Sequence, residues 1–341
     1  MENQNPRRSQ SLNSDIISTL PLNIIESILS LMPLRDALRT SVLSKKWRYT
    51  WRGMPKLVFT NNMVTVSSDH LCLQLKKYKL ISAIFHVLLL HKGPEILKFH
   101  CSFVHLHMES EFAQIISYLA RENTLKQLFI FSDDRSYKLP ISFFSLQGLE
   151  FVHLYNCTFE PPLTFNGFSS LTSVRIWNVD VSAQMLKQFL SKCPLLEYLC
   201  LVGCQKVLDF VAGENKFTFG DLLQCVPLIQ TLAISKYYMK VMYDNEKLPV
   251  HQTPSNFLDP EDYPDLMLDY LVTLEIENFS KLPLEMKFVK LIMAKSPLLK
   301  NVKIKLNDNV SVDEEMKMLK DMLRLPFLRA SPCAELIIDR P

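Results

Sequence analysis

The sequence predicts an α/β chain in which a short helical module precedes a stack of parallel β-strands. Two observations lead to this fold class. Apolar residues between positions 15 and 52 recur at steps of three and four, which is the spacing of one helix face. From about residue 96 onward the pattern L-x-x-L-x-L recurs, and such units must stack because none can cover its own apolar face.

The first helix is expected to follow Leu20-Pro21. Proline suits the first turn of a helix, where a missing backbone N–H costs little. Met32-Pro33 should end this helix, because the residue before a proline is pushed out of the α region. The apolar residues between these two points are expected to form one stripe: Ile24, Ile25, Ile28, Leu29 and Leu31.

Two more short helices are expected before residue 53. One should run from 34 to 42 and point Ala37, Leu38 and Val42 inward. The other can be capped by Ser44 and carries three aromatic residues among basic ones.

Three helices of this size cannot bury all of these apolar groups among themselves. The surplus either docks on the C-terminal part of the chain or fills the groove of a partner, and the pattern leaves both open. Spacing also does not separate core residues from contact residues. The candidate contact residues are Leu20, Pro21, Ile24, Ile28, Leu29, Val42, Leu43, Trp47 and Trp51.

The repeats are expected to form an irregular solenoid. A strand at 54 to 59 and a mostly helical stretch at 67 to 92 lead into a degenerate copy at 96 to 99. Each later copy should place one short parallel strand and return through a helix or a loop. A step across 236 to 265 is rich in Pro and Asp and is expected to be an inserted loop. The copies begin at Leu125, Leu149, Leu171, Leu196, Ile229, Leu271 and Leu299.

Residues between the repeat leucines are the candidate binding residues. Alternate side chains of a strand face opposite ways, so these residues line the concave face if the leucines point inward. Trp, Tyr and Arg are frequent binding anchors. A phase slip of one residue would turn all of them inward, and covering loops would hide them. The candidates are Phe151, His153, Tyr155, Arg175, Trp177 and Tyr198.

Composition narrows the function classes. The chain has 341 residues, is 48% hydrophobic and 21% charged, and therefore predicts a globular protein with a large core. The net charge of +3 is too small to predict nucleic acid as a partner. Seven glycines and the absence of a phosphate-binding or nucleophile-elbow motif argue against an enzyme and against a cofactor.

The histidines and cysteines predict neither a metal site nor disulfides. Five histidines lie between 86 and 107, but without a fixed ligand spacing. The eight cysteines include no C-x-x-C, and residues 1 to 14 are polar and lack the apolar region of a signal peptide. Free thiols and a cytoplasmic or nuclear location are therefore expected. The longest apolar run, 80 to 90, is too short to span a membrane.

The stretch LPLNIIESILSLMPLRDALRTSVLSKKWRYTW, residues 20 to 51, resembles an F-box of the plant F-box/FBD/leucine-rich-repeat family. The tail resembles the FBD segment of that family, most specifically at Arg329-Ala330-Ser331-Pro332. The resemblance divides the chain into a disordered leader (1–14), an F-box (15–54), a leucine-rich-repeat domain (55–270) and an FBD-like C-terminal cap (271–341).

The resemblance implies a non-catalytic substrate-recognition subunit of a Skp–cullin–F-box ubiquitin ligase. The nine N-terminal candidates would contact a Skp-family adaptor, which links to a cullin-RING ligase, and the six concave candidates would contact an unknown protein substrate. Two alternatives remain on the same scaffold. One is a co-receptor for a hormone-like small molecule, and the other is an F-box scaffold that acts outside a ligase.

Overall fold

The computed structural model describes most of the chain. The described residues are 16–60, 63, 70–103, 109–133, 137–179, 181–203, 219–235, 261, 263–280, 283–308, 310, 312–323 and 330–340. The predicted leader and nearly all of the predicted insertion at 236 to 265 lie outside them.

The N-terminal module is helical, as expected. Its helices are α1 (Ile16–Thr19), α2 (Leu22–Ser30), α3 (Leu34–Arg39) and α4 (Trp47–Thr50), with 3₁₀ turns at Thr40–Val42 and Trp51–Gly53. Pro21 and Pro33 stand directly before α2 and α3, where the missing N–H is tolerated.

The second predicted helix is shorter than expected, and Val42 does not face inward. The α-helix ends at Arg39, and Val42 is 87% exposed. The Thr40 hydroxyl donates to the Ala37 carbonyl at 2.6 Å, and a 3₁₀ turn follows. Because a 3₁₀ turn has three residues instead of 3.6, the last turn rotates Val42 away from the core.

The repeats form one parallel sheet of ten described strands that pair in chain order. The strands are β1 (Lys56–Phe59), β2 (Lys98–Phe103), β3 (Gln127–Ser132), β4 (Phe151–Tyr155), β5 (Ser173–Trp177), β6 (Tyr198–Val202), β7 (Thr231–Ser235), β8 (Thr273–Phe279), β9 (Asn301–Leu306) and β10 (Glu335–Asp339). The predicted strands and their order are therefore confirmed.

Helices form only some of the returns between strands. They are α5 (His70–Leu90), α6 (Glu109–Glu122), α7 (Ala183–Leu190), α8 (Phe219–Gln224), α9 (Pro283–Lys295) and α10 (Val312–Leu323). A 3₁₀ turn at Ile141–Ser145 serves between β3 and β4, and the return from β4 to β5 contains no helix. The solenoid is thus irregular in its returns and regular in its strands.

The core follows from strand alternation. Val152 and Leu154 of β4 are buried, and so are their register partners Val174 and Ile176 of β5. Beneath these strands lies an aromatic cluster in which ring centroids are 5.0 to 6.5 Å apart. Its members are Phe143, Phe144, Phe159, Phe165, Phe168 and Phe189.

The residues that follow β4, β5 and β6 adopt a left-handed backbone. They are Asn156 (φ 50°), Asn178 (φ 52°) and Gly203 (φ 74°), which are the residue types that tolerate this conformation. The N–H of Asn178 donates to the Val202 carbonyl at 2.8 Å, which continues the ladder past the strand end. A side chain at 203 would place its Cβ 2.0 Å from the Asn178 Oδ1, so this turn requires glycine.

The C-terminal part continues the same sheet. It runs as strand, helix, strand, helix, strand, and β8 pairs with β7 of the preceding part. Glu275 forms an ion pair with Lys303 at 3.0 Å, and the Glu277 carboxylate lies 3.8 Å from the Lys305 ammonium. Such oppositely charged pairs on adjacent strands stabilise the sheet modestly. Leu336 and Ile338 of β10 are only partly buried.

The cysteines differ in burial, and their reactivity should differ accordingly. Cys101 and Cys193 are buried free thiols, whereas Cys333 is exposed. Burial raises the pKa of Cys101 and raises that of Cys193 to about 12, so neither forms a reactive thiolate at neutral pH. We expect iodoacetamide to modify Cys333 in the native protein, and the two buried thiols only after unfolding. Mass spectrometry without reductant checks this, and a reproducible disulfide in fresh protein would contradict it.

Candidate interaction surfaces

The outward side of the N-terminal module is apolar. Among the side chains whose burial is described between 16 and 54, seven large apolar ones are exposed, and Leu31 and Val42 are the most exposed at 87% each. An apolar patch of this density on a small module is typical of a protein-binding surface. Its members are Ile17, Leu22, Ile24, Leu31, Val42, Leu43 and Tyr49.

Six of the nine predicted contact residues reach the surface of this module. Pro21, Ile24, Val42 and Leu43 are exposed, and Leu20 and Ile28 are partly buried against the core. The Lys46 ammonium donates to the Leu20 carbonyl, which ties the start of α2 to the segment before α4.

The prediction of exposed contact residues needs correction at three positions. Leu29, Trp47 and Trp51 are buried. The Trp47 indole N–H donates to the Ile17 carbonyl at 3.1 Å. Apolar spacing marked these residues without distinguishing the inner from the outer side of the helices. They hold the outer surface in place and offer no area to a partner.

The inner side of the module docks on the repeats. Trp51, Met54 and Leu57 belong to one continuous core. The backbone N–H groups of Lys92 and Gly93 donate to the Arg52 carbonyl at 2.9 and 3.1 Å. The docking that the sequence left open is therefore confirmed for one side of the module. The other side remains exposed, and contact with a partner there stays a prediction.

The concave face of the sheet carries aromatic ladders. The ring of Phe131 stacks on Tyr155 with centroids 4.2 Å apart, and Tyr155 stacks on Trp177 at 6.4 Å. In a second row, Phe129 stacks on His100 at 5.5 Å and on Phe151 at 4.9 Å. All six predicted concave residues are partly buried and alternate with fully buried neighbours, so the predicted strand phase is confirmed.

Arg175 and His153 are the polar centre of this face. They are register partners on β5 and β4. The Arg175 guanidinium lies 4.7 Å from the Tyr198 ring centre and 5.7 Å from that of Phe151. Burial, and then the charges of Arg175 and His100, lower the pKa of His153 to about 4, so its imidazole is neutral at physiological pH.

The exposed part of the aromatic face ends at β6, where the side chains after Tyr198 are covered. Strand alternation puts Cys200 and Val202 on the same side as Tyr198, but both are buried. Trp177 and Tyr198 pack against them, and the Trp177 indole N–H donates to the Cys200 Sγ at 3.2 Å. The large rings cover the small side chains of the next strand, which alternation alone does not predict.

Strand alternation in the degenerate first copy would also have identified Lys98 and His100, which the candidate set omits. They pair in register with Gln127 and Phe129. The Lys98 ammonium lies 4.3 Å above the Phe129 ring. His105 and His107 lie outside the described residues.

Comparison with known proteins agrees with this architecture. A family model described as "F-box domain" matches residues 17–59, and one described as "At1g61320/AtMIF1, LRR domain" matches residues 87–235. The F-box/FBD/LRR-repeat protein At1g13570 of Arabidopsis thaliana is 33% identical over 240 residues, which are 68% of this chain and 56% of the relative. The chain belongs to the plant F-box/FBD/leucine-rich-repeat family.

Two further relatives match other shares of this chain and of their own length. The F-box/FBD/LRR-repeat protein At2g04230 is 27% identical over 288 residues, 80% of this chain and 60% of the relative. The F-box/LRR-repeat protein 25 is 28% identical over 234 residues, 64% of this chain and 83% of the relative. Both are from Arabidopsis thaliana. The chain spans about half the length of the first curated relatives it matches.

The N-terminal module is thus the F-box, and the strands and returns between residues 87 and 235 belong to the leucine-rich-repeat domain. None of the described helices is long and apolar enough to cross a membrane.

Proposed function

We propose that this chain is the substrate-recognition subunit of a Skp–cullin–F-box ubiquitin ligase. Its F-box binds a Skp-family adaptor, and the concave face of its repeats binds a protein substrate. The observation that carries the proposal is the pairing of two surfaces on one continuous core: an exposed apolar face on the F-box and an aromatic concave face on the repeats.

The mechanism is proximity. The chain holds a substrate near a ubiquitin-conjugating enzyme that other subunits bring, which raises the effective concentration of the reacting groups. This mechanism requires no acid, base or nucleophile from this chain. Because the F-box docks on the solenoid through Trp51, Met54 and Leu57, the distance between adaptor and substrate is fixed by a packed core.

The proposal also covers the C-terminal unit and the cellular location of the protein. Residues 271 to 341 correspond to the FBD segment and extend the sheet by three strands, β8 to β10. The division of the chain at residues 54 and 270 and a cytoplasmic or nuclear location stay predictions.

Co-precipitation of cullin tests the ligase role. Tagged full-length protein should bring down both the Skp-family adaptor and cullin, and a variant without residues 15 to 54 should bring down neither. Adaptor without cullin would instead indicate an F-box scaffold outside a ligase. A thermal-shift screen with plant hormones and inositol phosphates tests the co-receptor alternative, which requires a saturable rise in Tm.

Replacing Trp177 by alanine should remove substrate binding at a modest cost in stability. The half-buried indole stacks on Tyr155 and donates to Cys200, so its loss should cost about 1 kcal/mol of unfolding free energy. Chemical denaturation gives that cost, and quantitative affinity capture with the proteasome blocked gives the binding. Adaptor capture serves as the internal control. An unchanged set of captured proteins would contradict the assignment of this face.

A further inference from the structure

The concave face between β2 and β6 has a biased chemistry. Its side chains come from the first, third and fifth positions of each strand, and none of these fifteen described positions holds a carboxylate. Four are basic or imidazole groups. The positions are Lys98, His100, Ser102, Gln127, Phe129, Phe131, Phe151, His153, Tyr155, Ser173, Arg175, Trp177, Tyr198, Cys200 and Val202.

Arg175 lacks an anionic partner among the described residues. Its Nε is buried and makes no hydrogen bond there. The nearest acidic positions in register are Glu275 and Glu277 on β8, and these pair with Lys303 and Lys305. A guanidinium is always charged and strongly favours a carboxylate or phosphate, so leaving it among aromatic rings without one is costly.

His153 also has a buried nitrogen without a described partner. Its Nε2 is buried and has no hydrogen-bond partner among the described residues. In the tautomer that carries the proton on Nε2, this nitrogen needs an acceptor. Register places His153 beside Arg175, so one group with two acceptor oxygens can serve both side chains.

We propose that Arg175 and His153 form the anchor for a single carboxylate, an aspartate or glutamate side chain of the protein that this face binds. This inference rests on the proposed function, because it names the chemistry of the substrate at the same face. The guanidinium lies near the rings of Phe151 and Tyr198, and such apolar surroundings strengthen an ion pair.

The charge of the site favours a carboxylate over a phosphate. His153 is neutral because its pKa is lowered to about 4, and burial also lowers the pKa of His100. Lys98 keeps its charge, but its ammonium lies above Phe129 on β3, two strands away from Arg175. Arg175 therefore supplies one fixed positive charge, which balances a carboxylate but leaves a phosphate dianion with an uncompensated, partly desolvated charge.

Nuclear magnetic resonance of the full chain labelled with ¹⁵N-arginine tests this anchor. The buried Nε–H of Arg175 should exchange slowly and give a resonance that is missing in Arg175→Gln. Three blocked amino acids serve as probes: the α-methylamides of N-acetyl-glutamate, N-acetyl-glutamine and N-acetyl-O-phosphoserine. We expect a saturable shift with the glutamate probe at an affinity at least about tenfold higher than with the other two.

The His153 ring proton gives a second reporter that survives changes at Arg175. The glutamate probe should raise the pKa of His153, because a bound anion favours the imidazolium. Arg175→Lys should weaken binding by about tenfold, since it keeps the charge and loses the planar fork. Lys300→Gln, at an exposed position directly before β9, is the matched control and should bind like the natural sequence.

Three results would overturn the anchor: no saturable shift with any probe, equal affinity for all three probes, or binding that survives Arg175→Gln. The outcome is separable from the proposed function. If Trp177→Ala removes substrate capture while the glutamate probe fails to bind, the concave face recognises a substrate by other chemistry and only the carboxylate anchor is wrong.

Discussion

Replacing Leu20 and Pro21 together by alanine is expected to reduce affinity for a Skp-family adaptor by more than about 100-fold, or about 2.7 kcal/mol. Pro21 is exposed, and Leu20 is partly buried at the point where α2 begins. The Pro21 carbonyl accepts the first hydrogen bonds of α2 from Ile24 and Ile25, and alanine preserves that carbonyl. The lost affinity should therefore come from apolar contact area. Isothermal titration with purified adaptor measures it.

Val42→Asp separates contact from folding in the same experiment. Val42 is 87% exposed, so a carboxylate there should leave stability unchanged within about 0.5 kcal/mol while placing a charge in the interface. Leu163→Asp is the matched control, because Leu163 is 94% exposed and lies in the repeats. Undiminished adaptor binding by both F-box variants would show that this surface is not the interface.

Replacing Phe189 by alanine should lower the unfolding free energy by about 3–5 kcal/mol. The Phe189 ring is 1% exposed and contacts three others, with centroids 5.3 Å from Phe159, 5.9 Å from Phe165 and 6.0 Å from Phe168. Phe189 lies on α7, between β5 and β6, and its ring packs against the return between β4 and β5, which has no helix. The cavity would therefore open where the solenoid is least regular. Urea denaturation followed by circular dichroism measures the change.

Leu163→Ala is the control for that measurement. Leu163 lies in the return between β4 and β5, which Phe189 packs against, but it is 94% exposed, so its loss should cost less than about 0.5 kcal/mol. A cost for Phe189→Ala close to that of the control would mean that the aromatic cluster does not support the stacking of the repeats.

The sequence predicted the regular parts of the molecule. Alternation in L-x-x-L-x-L determined which side of β4 and β5 is buried, because a period of two leaves only two choices. Pro21 marked the start of the first predicted helix, since a missing N–H is tolerated there, and Met32-Pro33 marked its end.

The candidate sites could be predicted only in part, because burial depends on neighbours that are distant in sequence. Trp47 and Trp51 share helical spacing with exposed residues, but both are core: Trp47 packs inside the F-box, where its indole donates to the Ile17 carbonyl, and Trp51 lies on the side that docks on the repeats. Cys200 alternates correctly on β6, yet the indole of Trp177 covers it from the neighbouring strand. Val42 turns outward because a 3₁₀ turn interrupts the expected helix.

Affinity capture of three forms from plant cells with the proteasome blocked tests most directly whether two separate surfaces connect a ligase to a substrate. The natural sequence should retain adaptor, cullin and substrate. Val42→Asp should lose adaptor and cullin and keep the substrate, whereas Trp177→Ala should lose the substrate and keep adaptor and cullin. Absence of adaptor and cullin from the natural sequence, or loss of all partners together in both variants, would contradict the account.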